Sequence, residues 1–402
     1  MYSRAYVFTL MPDGCRGLVG EIKTSSLMGE FQYDSDWLDN PRAYPLDPVN
    51  LPLSPARYRV HNLKNMFGVF SDVGPDSWGE RVLLQHHRSL PGNETERLLR
   101  LSGMGVGCLQ FSLSRTRPKE VLALPTIDRL LRLANATENL LLKHQLTNDE
   151  LLLLDPGSSM GGARPKVTVC DKEDVWLVKF SRPDDLIDIP KVEYACMQLL
   201  SRLGIHVPET KLMALGQGKS AYMIKRFDRI TGDPIHFISA HSLFNTDRVR
   251  LIRDAHHDPR SYIALAKILR AHSAHSIKDC QALYARMVAN VLLKNTDDHA
   301  RNHAMIFDVS RREWRLAPAF DVLPSLGSQG EQALGVGRYG RKSTIENLLT
   351  ASGAFGLSNE QALDRIHTMS AIILDWEHYF LKCGVTTADL KVLRVVMTPL
   401  AR

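Results

Sequence analysis

The sequence predicts a mixed α+β protein with two lobes and an added N-terminal subdomain. Strand-like runs and a glycine-rich segment occupy the first part of the chain, and helical periodicity dominates beyond about residue 260. The 402 residues also exceed what one hydrophobic core usually organises. We therefore expect an N-terminal β-rich subdomain over residues 1–115, a mixed N-lobe over 116–240 and an all-α C-lobe over 241–402.

The predicted strands are short runs of branched and aromatic residues bounded by turn formers. They cover residues 5–10, 17–22, 108–113, 167–170, 175–180 and 221–227, with a further short run at 314–316. The turn signal Pro12-Asp13-Gly14 separates the first two strands. Residues 29–55 are rich in turn formers and are expected to be irregular or hairpin-like.

The predicted helices carry apolar residues at three- and four-residue spacing. They begin near Ser77, lie near residues 138–154, extend from Pro190 to Gly204, and cover 262–269, 283–293, 362–380 and the segment from 388. Ser77 and Glu80 have capping-box spacing, Pro190 suits a first helical turn and Gly204 suits a helix end.

The composition is that of a soluble globular protein, with 44% hydrophobic and 23% charged residues. The six cysteines lie far apart without a Cys-x-x-Cys pair, which argues against a disulfide framework or a zinc ribbon and favours a reducing compartment. No apolar run has membrane-spanning length, and the first residues lack the apolar core of a signal peptide. We therefore expect a cytoplasmic protein with no membrane association. A net charge of +6 without a dense Lys/Arg run predicts that any DNA contact is weak or indirect.

The segment Asn295-Thr-Asp-Asp-His-Ala-Arg-Asn302 carries the most informative chemistry. Asp297 is followed five positions later by Asn302, which is the spacing of a protein-kinase catalytic loop. In such a loop the carboxylate accepts or orients the attacking hydroxyl, and the amide oxygen holds Mg²⁺ without adding negative charge. Asp321, after the run Leu316-Ala-Pro-Ala-Phe320, supplies a second carboxylate. Asn302 and Asp321 are therefore the expected metal ligands.

Two other interpretations of this segment stay open. A cluster of Asp, His and Asn after a helix is often only a capped, solvated loop. His299 and His303 are also four residues apart beside two carboxylates. On a helix, that spacing could bind zinc or manganese and would indicate a metal hydrolase.

A glycine-rich segment, residues 157–162, precedes Lys166, and Lys179 lies at the end of a predicted strand. Glycines let backbone N–H groups approach phosphates closely, and a strand lysine can neutralise them. The segment is not a Walker A motif, because Gly-Lys-Ser/Thr is absent, and by itself it could be a hairpin turn. The nearby segment Gly103–Gly107 lacks dinucleotide-binding spacing and is expected to be structural.

Glu193, on the helix after Lys179, could pair with that lysine as a kinase helix glutamate does, with a solvated glutamate as the alternative. The order of glycine loop, strand lysine, helix glutamate, Asp-x₄-Asn and a final Asp is that of a protein kinase. Each signal is weak alone, but their order is hard to obtain by chance.

Together these segments resemble the HipA-like serine/threonine kinases of bacterial toxin–antitoxin modules. The matching segments are residues 67–79, 161–166, 176–180, 225–229, 295–302 and 316–321. They span most of the chain, and Asn-Thr-Asp-x-His-x-x-Asn is the most specific of them. The resemblance implies a two-lobed, protein-kinase-like fold that uses ATP and Mg²⁺.

The resemblance also implies a role for each matched residue. Asp297 would be the catalytic base, and Asn302 and Asp321 would hold Mg²⁺. The implied nucleotide-binding residues are Gly161, Gly162, Ala163, Arg164, Pro165 and Lys166 over the phosphates, Lys179 on the phosphates, Lys225, Arg226 and Phe227 at the hinge beside adenine, and His299, Ala300, Arg301, Asn302, Phe320 and Asp321 lining the site. Family members often carry Glu at the position of Lys225, a difference that backbone hydrogen bonds to adenine would survive.

Regulation and partners are implied by the same resemblance. In family members a glycine-loop serine is autophosphorylated, which ejects the loop and silences the enzyme. Ser159 stands at that position, with Ser158 as its competitor. Family members phosphorylate aminoacyl-tRNA synthetases and pair with a HipB-like helix-turn-helix antitoxin that binds DNA. By analogy, we expect a toxin that inhibits translation through such a target or a similar one.

Two further functions stay open at this point. One is a catalytically weak kinase fold that acts as a co-repressor with a DNA-binding antitoxin. The other is a lipid or small-molecule kinase, since the motifs identify ATP as the donor and say little about the acceptor.

Overall fold

The computed structural model describes residues 3–10, 16–75, 77–101, 105–155, 162–216, 218–246, 254–327 and 330–398. The chain forms two compact units. The first comprises Met1–Pro183, Lys225–Asp247 and Ile306–Glu313, and the second comprises Asp184–Ile224, Arg248–Met305 and Trp314–Arg402. The domain boundaries predicted at residues 115 and 240 stay a prediction.

The structure contains strands and helices along the whole described chain. The strands are β1 (Ser3–Leu10), β2 (Arg16–Thr24), β3 (Gly29–Tyr33), β4 (Tyr58–Val60), β5 (Leu109–Ser112), β6 (Lys166–Asp171), β7 (Asp174–Phe180), β8 (Thr210–Gly216), β9 (Lys219–Lys225), β10 (Arg229–Ile230), β11 (Asp233–Pro234), β12 (His236–Ser239), β13 (Ala304–Asp308) and β14 (Glu313–Leu316). The helices are α1 (Ser35–Leu38), α2 (Gly68–Ser71), α3 (Ser77–His87), α4 (Glu94–Leu99), α5 (Leu130–Leu141), α6 (Asn148–Leu154), α7 (Ile189–Arg202), α8 (Ala240–Phe244), α9 (Tyr262–His272), α10 (Ser276–Leu292), α11 (Ile345–Ala351), α12 (Asn359–Ile373), α13 (Trp376–Lys382) and α14 (Thr387–Val396).

The first unit contains an antiparallel sheet of five strands in the order β4-β3-β2-β1-β5. Burial alternates along β3, where Gly29, Phe31 and Tyr33 are buried and the residues between them are partly exposed. This alternation is typical of a sheet with one face on the core. The strands predicted over 5–10, 17–22 and 108–113 are confirmed, and Pro12–Gly14 lies outside the described residues.

The first unit also contains the hairpin of β6 and β7, which are antiparallel with Lys166 opposite Lys179. Lys172, in the connecting turn, has a φ of 55°, which a two-residue hairpin turn requires. The strands predicted over 167–170 and 175–180 are therefore confirmed. These two strands determine the positions of Lys166 and Lys179.

The second unit is mainly helical and also contains the antiparallel hairpin of β8 and β9. Its α10 packs against α9 and α12, and Leu283, Met287 and Val291 of α10 are fully buried. Their four-residue spacing puts them on one helix face. Among the described helices, none combines the length and the apolar composition that a membrane crossing requires.

Two helix predictions differ from the structure in the same way. The helix expected near residues 138–154 is two helices, α5 and α6, because Thr147 and Glu150 form a capping box that begins α6. The helix expected over 362–380 is likewise divided, into α12 and α13. The helix from Pro190 is confirmed as α7, after which Gly204 has a φ of 73°.

A buried carboxylate, Asp47, organises the irregular loop after α1. It accepts hydrogen bonds from the backbone N–H groups of Val49 and Asn50, both at 2.9 Å, and from Asn50 Nδ2 at 2.7 Å. Asn50 Nδ2 donates in turn to the carbonyl of Leu243 at 3.2 Å, which ties this loop to α8. Burial raises the pKa of Asp47 to about 6, although these hydrogen bonds lower it.

This raised pKa predicts a pH-dependent stability. The contribution of Asp47 is fully present below its unfolded-state pKa of about 3.9 and is lost as the pH rises through about 6. Relative to Asp47→Asn, the wild-type free energy of unfolding should fall by about 2 kcal/mol between pH 4 and pH 7. Chemical denaturation across that range measures it, with the exposed Asp36→Asn as control. Parallel pH profiles for wild type and Asp47→Asn would contradict the assignment.

Candidate active site

Residues 294–303 form a tight loop directly after α10. Lys294 turns the chain with a φ of 58°, and the N–H of Asn295 donates to the carbonyl of Asn290 at 2.9 Å. Ala300–Asn302 form a 3₁₀ turn. As a result, the side chain of Asp297 is exposed, whereas Asp298 and Asn302 are buried.

A hydrogen bond within the loop orients the amide of Asn302. Its Nδ2 donates to the carbonyl of Asp297 at 3.4 Å. Only the amide nitrogen can donate to a carbonyl, so Oδ1 is left as the acceptor atom. A neutral amide oxygen belongs to the oxygen donors that suit Mg²⁺.

Asp321 lies at the end of a segment that backbone hydrogen bonds hold in place. The N–H of Ala317 donates to the carbonyl of Ala304 at 2.9 Å, and the N–H of Ala319 donates to the carbonyl of His206 at 2.8 Å. Asp321 itself is exposed and has a φ of 60°. A non-glycine residue in the left-handed region costs about 1–2 kcal/mol, and such strain is concentrated at functional sites.

Glu193 and Asp321 share a neighbour in the second unit. Tyr222 on β9 is fully buried, and burial together with the charges of Glu193 and Asp321 raises its pKa well above the ordinary value. Glu193 on α7 is only 2% exposed, so the alternative of a solvated glutamate is wrong. Its pairing with Lys179 stays a prediction.

The histidine arrangement expected of a metal hydrolase is not formed. His299 and His303 have extended backbones and flank the 3₁₀ turn, so they do not lie on one helix face. His303 Nε2 is hydrogen-bonded to Asp298 Oδ2 at 2.7 Å. Within the described part of the chain, no cluster of three or more His, Cys, Asp or Glu side chains is placed to hold a metal ion. The metal-hydrolase interpretation therefore loses its geometric basis.

Lys166 and Lys179 lie directly opposite each other on β6 and β7, and they are 4% and 7% exposed. Directly opposite residues project from the same face of a sheet with their Cβ atoms about 4.5–5.5 Å apart, where like charges repel. This concentration of positive charge suits an anion. Lys166 Nζ also lies over Gly162, where a Cβ atom would be 2.0 Å from Nζ and where φ is 112°. The positive φ favours glycine at this position, whereas the Lys166 ammonium group lies at the end of a flexible side chain and could move.

Trp78 on α3 is hydrogen-bonded to Gly162 and to the first residue of β6. Its Nε1 donates to the carbonyl of Lys166 at 2.7 Å, and its backbone N–H donates to the carbonyl of Gly162 at 3.4 Å. The sequence placed Trp78 in a matching segment without assigning it a role. The sequence could have suggested a role, because the indole N–H of a buried tryptophan needs a hydrogen-bond acceptor.

The other predicted phosphate-loop residues are less informative. Gly161, Ser158 and Ser159 lie outside the described residues. Ala163 is exposed and Arg164 is half-buried, while the carbonyl of Pro165 accepts a hydrogen bond from the N–H of Phe180 at 3.1 Å.

The predicted hinge contains a buried ion cluster. Arg226 donates to both carboxylate oxygens of Asp228, at 3.0 and 2.6 Å, and Arg229 donates to Oδ2 at 2.7 Å. The N–H of Gly107 donates to the same oxygen at 2.7 Å, and Arg226 Nη2 donates to the carbonyl of Gly105 at 2.8 Å. The structural interpretation of this glycine segment is thus confirmed for Gly105 and Gly107.

The cluster limits what the hinge side chains can do. The guanidinium of Arg226 is committed to Asp228, so any contact of Arg226 with adenine would come from its backbone. Lys225 Nζ pairs with Asp174 at 2.6 Å, and the ring of Phe227 lies 6.3 Å from that of Phe237. The nucleotide-binding role of residues 225–227 stays a prediction.

Two family matches account for most of the chain. Residues 158–376 match the HipA-like C-terminal domain, and residues 15–112 match the HipA N-terminal domain. The chain belongs to the HipA family. The recognition from sequence motifs is therefore confirmed.

Curated relatives share part of this HipA-family chain. A protein of Sinorhizobium fredii (strain NBRC 101917 / NGR234), named "Putative kinase Y4dM", is 28% identical over 162 residues. One of Haemophilus influenzae, named "Putative kinase", is 26% identical over 182 residues. The matches cover 38% and 42% of this chain and 37% and 52% of those relatives, so the chain spans about half their length or less.

A solved structure resembles nearly the whole chain. It belongs to the Shewanella oneidensis MR-1 toxin–antitoxin complex of HipA, HipB and operator DNA. The TM-score is 0.69 at 15% identity, with 97% of this chain and 95% of the other covered. This likeness shows the fold, and the predicted mixed α+β, HipA-like fold is confirmed. The C-terminal portion also contains β13 and β14, so it is mainly rather than wholly helical.

The hinge cluster predicts a large loss of stability in Asp228→Asn. Burial alone would raise the pKa of Asp228, but Arg226 and Arg229 hold it well below the ordinary carboxyl range. Neutralising Asp228 leaves two buried guanidinium groups without their partner and should cost about 3–5 kcal/mol. Asp174→Asn removes the exposed pair with Lys225 and should cost at most about 1 kcal/mol. Thermal and urea unfolding measure both, and equal losses would contradict the assignment.

Proposed function

We propose that this HipA-family protein is an ATP- and Mg²⁺-dependent kinase that phosphorylates serine or threonine hydroxyls of a protein. The observation that carries the proposal is the loop of residues 294–303. It holds an exposed carboxylate, Asp297, and a buried amide with its oxygen available, Asn302, five residues apart. The names of the two curated relatives support a kinase.

The acceptor hydroxyl would meet Asp297. Its side chain is exposed, so a serine or threonine on another protein can reach it, and a carboxylate can orient that hydroxyl and accept its proton. Oxygen attack on the γ-phosphorus and departure of ADP would then complete the transfer. Because this reaction needs little covalent help from the protein, positioning and electrostatic stabilisation provide most of the catalysis.

The phosphates would meet Lys166 and Lys179. The two side chains project from one face of the hairpin, and their ammonium groups can contact phosphate oxygens. Gly162, with a φ of 112°, lies beside the Lys166 ammonium group. Arg164 and the backbone of the neighbouring loop are further candidates for phosphate contacts.

Asn302 and Asp321 would hold the Mg²⁺ ion in the second unit. The donor set fits: an oriented neutral amide oxygen and one exposed carboxylate provide the one or two protein oxygens that Mg²⁺ usually takes. The ion would neutralise developing charge on the phosphates. His299 to Asn302 and Phe320 would line the same site.

Partners follow by analogy with the Shewanella complex, in which HipA is solved with HipB and operator DNA. We propose that this chain likewise binds a HipB-like antitoxin, so that any contact with DNA would be made through the antitoxin. The net charge of +6 is compatible with such a contact without demanding it. An aminoacyl-tRNA synthetase or a similar component of translation is the proposed target class.

The first test is the Asp297→Asn variant. It should lower phosphotransfer at least about 10²-fold and leave ATP affinity nearly unchanged, because Asp297 acts on the acceptor. Lys179→Met is the matched comparison and should weaken ATP binding itself. Transfer of γ-³²P to lysate proteins and calorimetric titration with ATP measure the two effects. Full activity in Asp297→Asn would overturn the assignment. Label recovered only in lipids would favour a lipid kinase.

The second test concerns the glycine-loop serine. Incubation with Mg-ATP should phosphorylate Ser159, and the charge added beside the phosphate site should then suppress further transfer. Phosphopeptide mapping of wild type, Ser159→Ala and Ser158→Ala identifies the site. Phosphate found only at other positions would rule out self-inhibition at this loop.

A further inference from the structure

A buried carboxylate lies directly beside the proposed catalytic base. Asp298 is 1% exposed, and its Oδ2 accepts hydrogen bonds from three side chains. The hydroxyl of Tyr262 on α9 is one donor, Asn290 Nδ2 on α10 is the second at 2.7 Å, and His303 Nε2 is the third at 2.7 Å. Asp298 Oδ2 therefore connects α9 and α10 to the loop on both sides of the 3₁₀ turn.

The hydrogen bonds around Asp298 allow only one arrangement of donors. Burial and the neighbouring Asp298 raise the pKa of Tyr262 well above its ordinary value, so its hydroxyl stays protonated and donates. Asn290 Oδ1 accepts from Asn295 Nδ2 at 2.9 Å, which fixes Asn290 Nδ2 as the group facing Asp298.

A positively charged side chain lies near Asp298. Arg286, also on α10, is 4% exposed. Burial lowers its pKa to about 10, while the charges of Asp279 and Asp298 raise it, so the guanidinium is protonated at neutral pH. Asn290, Asp298, Asn302, His303 and Phe320 line one small cavity. The network around Asp298 is thus continuous with the residue proposed to bind Mg²⁺.

Thr296, which precedes Asp297, is also held in place by hydrogen bonds. The N–H of Thr296 donates to Ser325 Oγ at 3.0 Å, and its carbonyl accepts from the N–H of Ala333 at 2.9 Å. Asp297 therefore stands between two immobilised neighbours while its own side chain is exposed. Such an arrangement restricts a catalytic group without occupying its polar atoms.

We infer that Asp298 is a positioning residue for the proposed phosphotransfer: through Tyr262, Asn290 and His303 it fixes the loop that presents Asp297 and Asn302. This inference rests on the proposed function for its kinetic consequence, but the restraint on the loop does not depend on that function. Hydrogen-bonded residues that orient metal ligands typically change metal affinity or activity by about 10–100-fold when mutated.

The test compares Asp298→Asn with two other variants. Tyr262→Phe removes only one donor and keeps the buried ring, so it provides a second variant if Asp298→Asn folds poorly. Asp389→Asn is the matched control. It removes a buried carboxylate of the same unit that also accepts three hydrogen bonds, from the N–H and Oγ1 of Thr386 and the N–H of Asp188.

The kinetic measurement is ADP release from Mg-ATP at varied Mg²⁺. In Asp298→Asn, kcat should fall about 10–100-fold and half-saturating Mg²⁺ should rise about tenfold, while KM for ATP changes less than about threefold. Tyr262→Phe should show smaller changes in the same direction. Asp389→Asn should change none of the three beyond about twofold. A purely structural role predicts that Asp298→Asn and Asp389→Asn behave alike, and that result would overturn the inference.

A second measurement does not require catalysis. Hydrogen–deuterium exchange in the nucleotide-free protein follows the loop amides, including Asn302 N–H, which donates to the carbonyl of His299 at 2.9 Å. Exchange over residues 295–302 should accelerate about tenfold or more in Asp298→Asn and remain unchanged in Asp389→Asn. Equal exchange in wild type and Asp298→Asn would refute positioning. If the wild type is inactive but loop exchange is accelerated in Asp298→Asn, the proposed kinase function is refuted and the restraint on the loop stands.

Discussion

The candidate active site depends on the cost of burying a charge. An ionised carboxylate that leaves water must be compensated by hydrogen bonds and opposite charge, and otherwise it destabilises the fold by several kcal/mol. Asp298 meets this requirement with three donors on one oxygen and with Arg286 nearby. Because the donors come from α9, α10 and the far end of the loop, satisfying the charge also determines the shape of the loop. The exposed Asp297 and the oriented Asn302 follow from it.

The first unit uses a buried carboxylate in the same way. Asp228 is compensated by Arg226 and Arg229, and the two arginines also donate to backbone carbonyls of the segment Gly105–Gly107. This cluster joins part of the HipA N-terminal domain to the predicted hinge of the HipA-like C-terminal domain. Trp78 adds a second connection, since it holds the carbonyls of Gly162 and Lys166. The N-terminal domain therefore contributes directly to the geometry of the segments proposed to bind nucleotide.

Lys166 and Lys179 represent the opposite case, in which charges of the same sign are brought together. Hairpin register places them side by side, and burial reduces the screening of their repulsion. The proposed binding of ATP would bring a multivalent anion to this pair.

The sequence by itself determined the family, the mixed fold and most strand and helix positions. Those features depend on local patterns: runs of branched and aromatic residues at β6 and β7, four-residue spacing on α10, and the motif from Asn295 to Asn302. It could also point to Asp297, Asn302 and Asp321, because the spacing of catalytic groups along a loop is a property of the chain. The break between α5 and α6 was missed although Thr147 and Glu150 signal it, since a continuous apolar pattern concealed the capping box.

Only the tertiary structure decided which of the polar residues are catalytic candidates and which are supports. Asp297 and Asp298 are adjacent and chemically identical, yet one is exposed and the other is buried under three hydrogen bonds from residues up to 36 positions away. His303 became a donor to Asp298 rather than a metal ligand, and Glu193 became buried rather than solvated. Burial and long-range hydrogen bonding arise when distant segments pack together, so no local pattern in the chain encodes them.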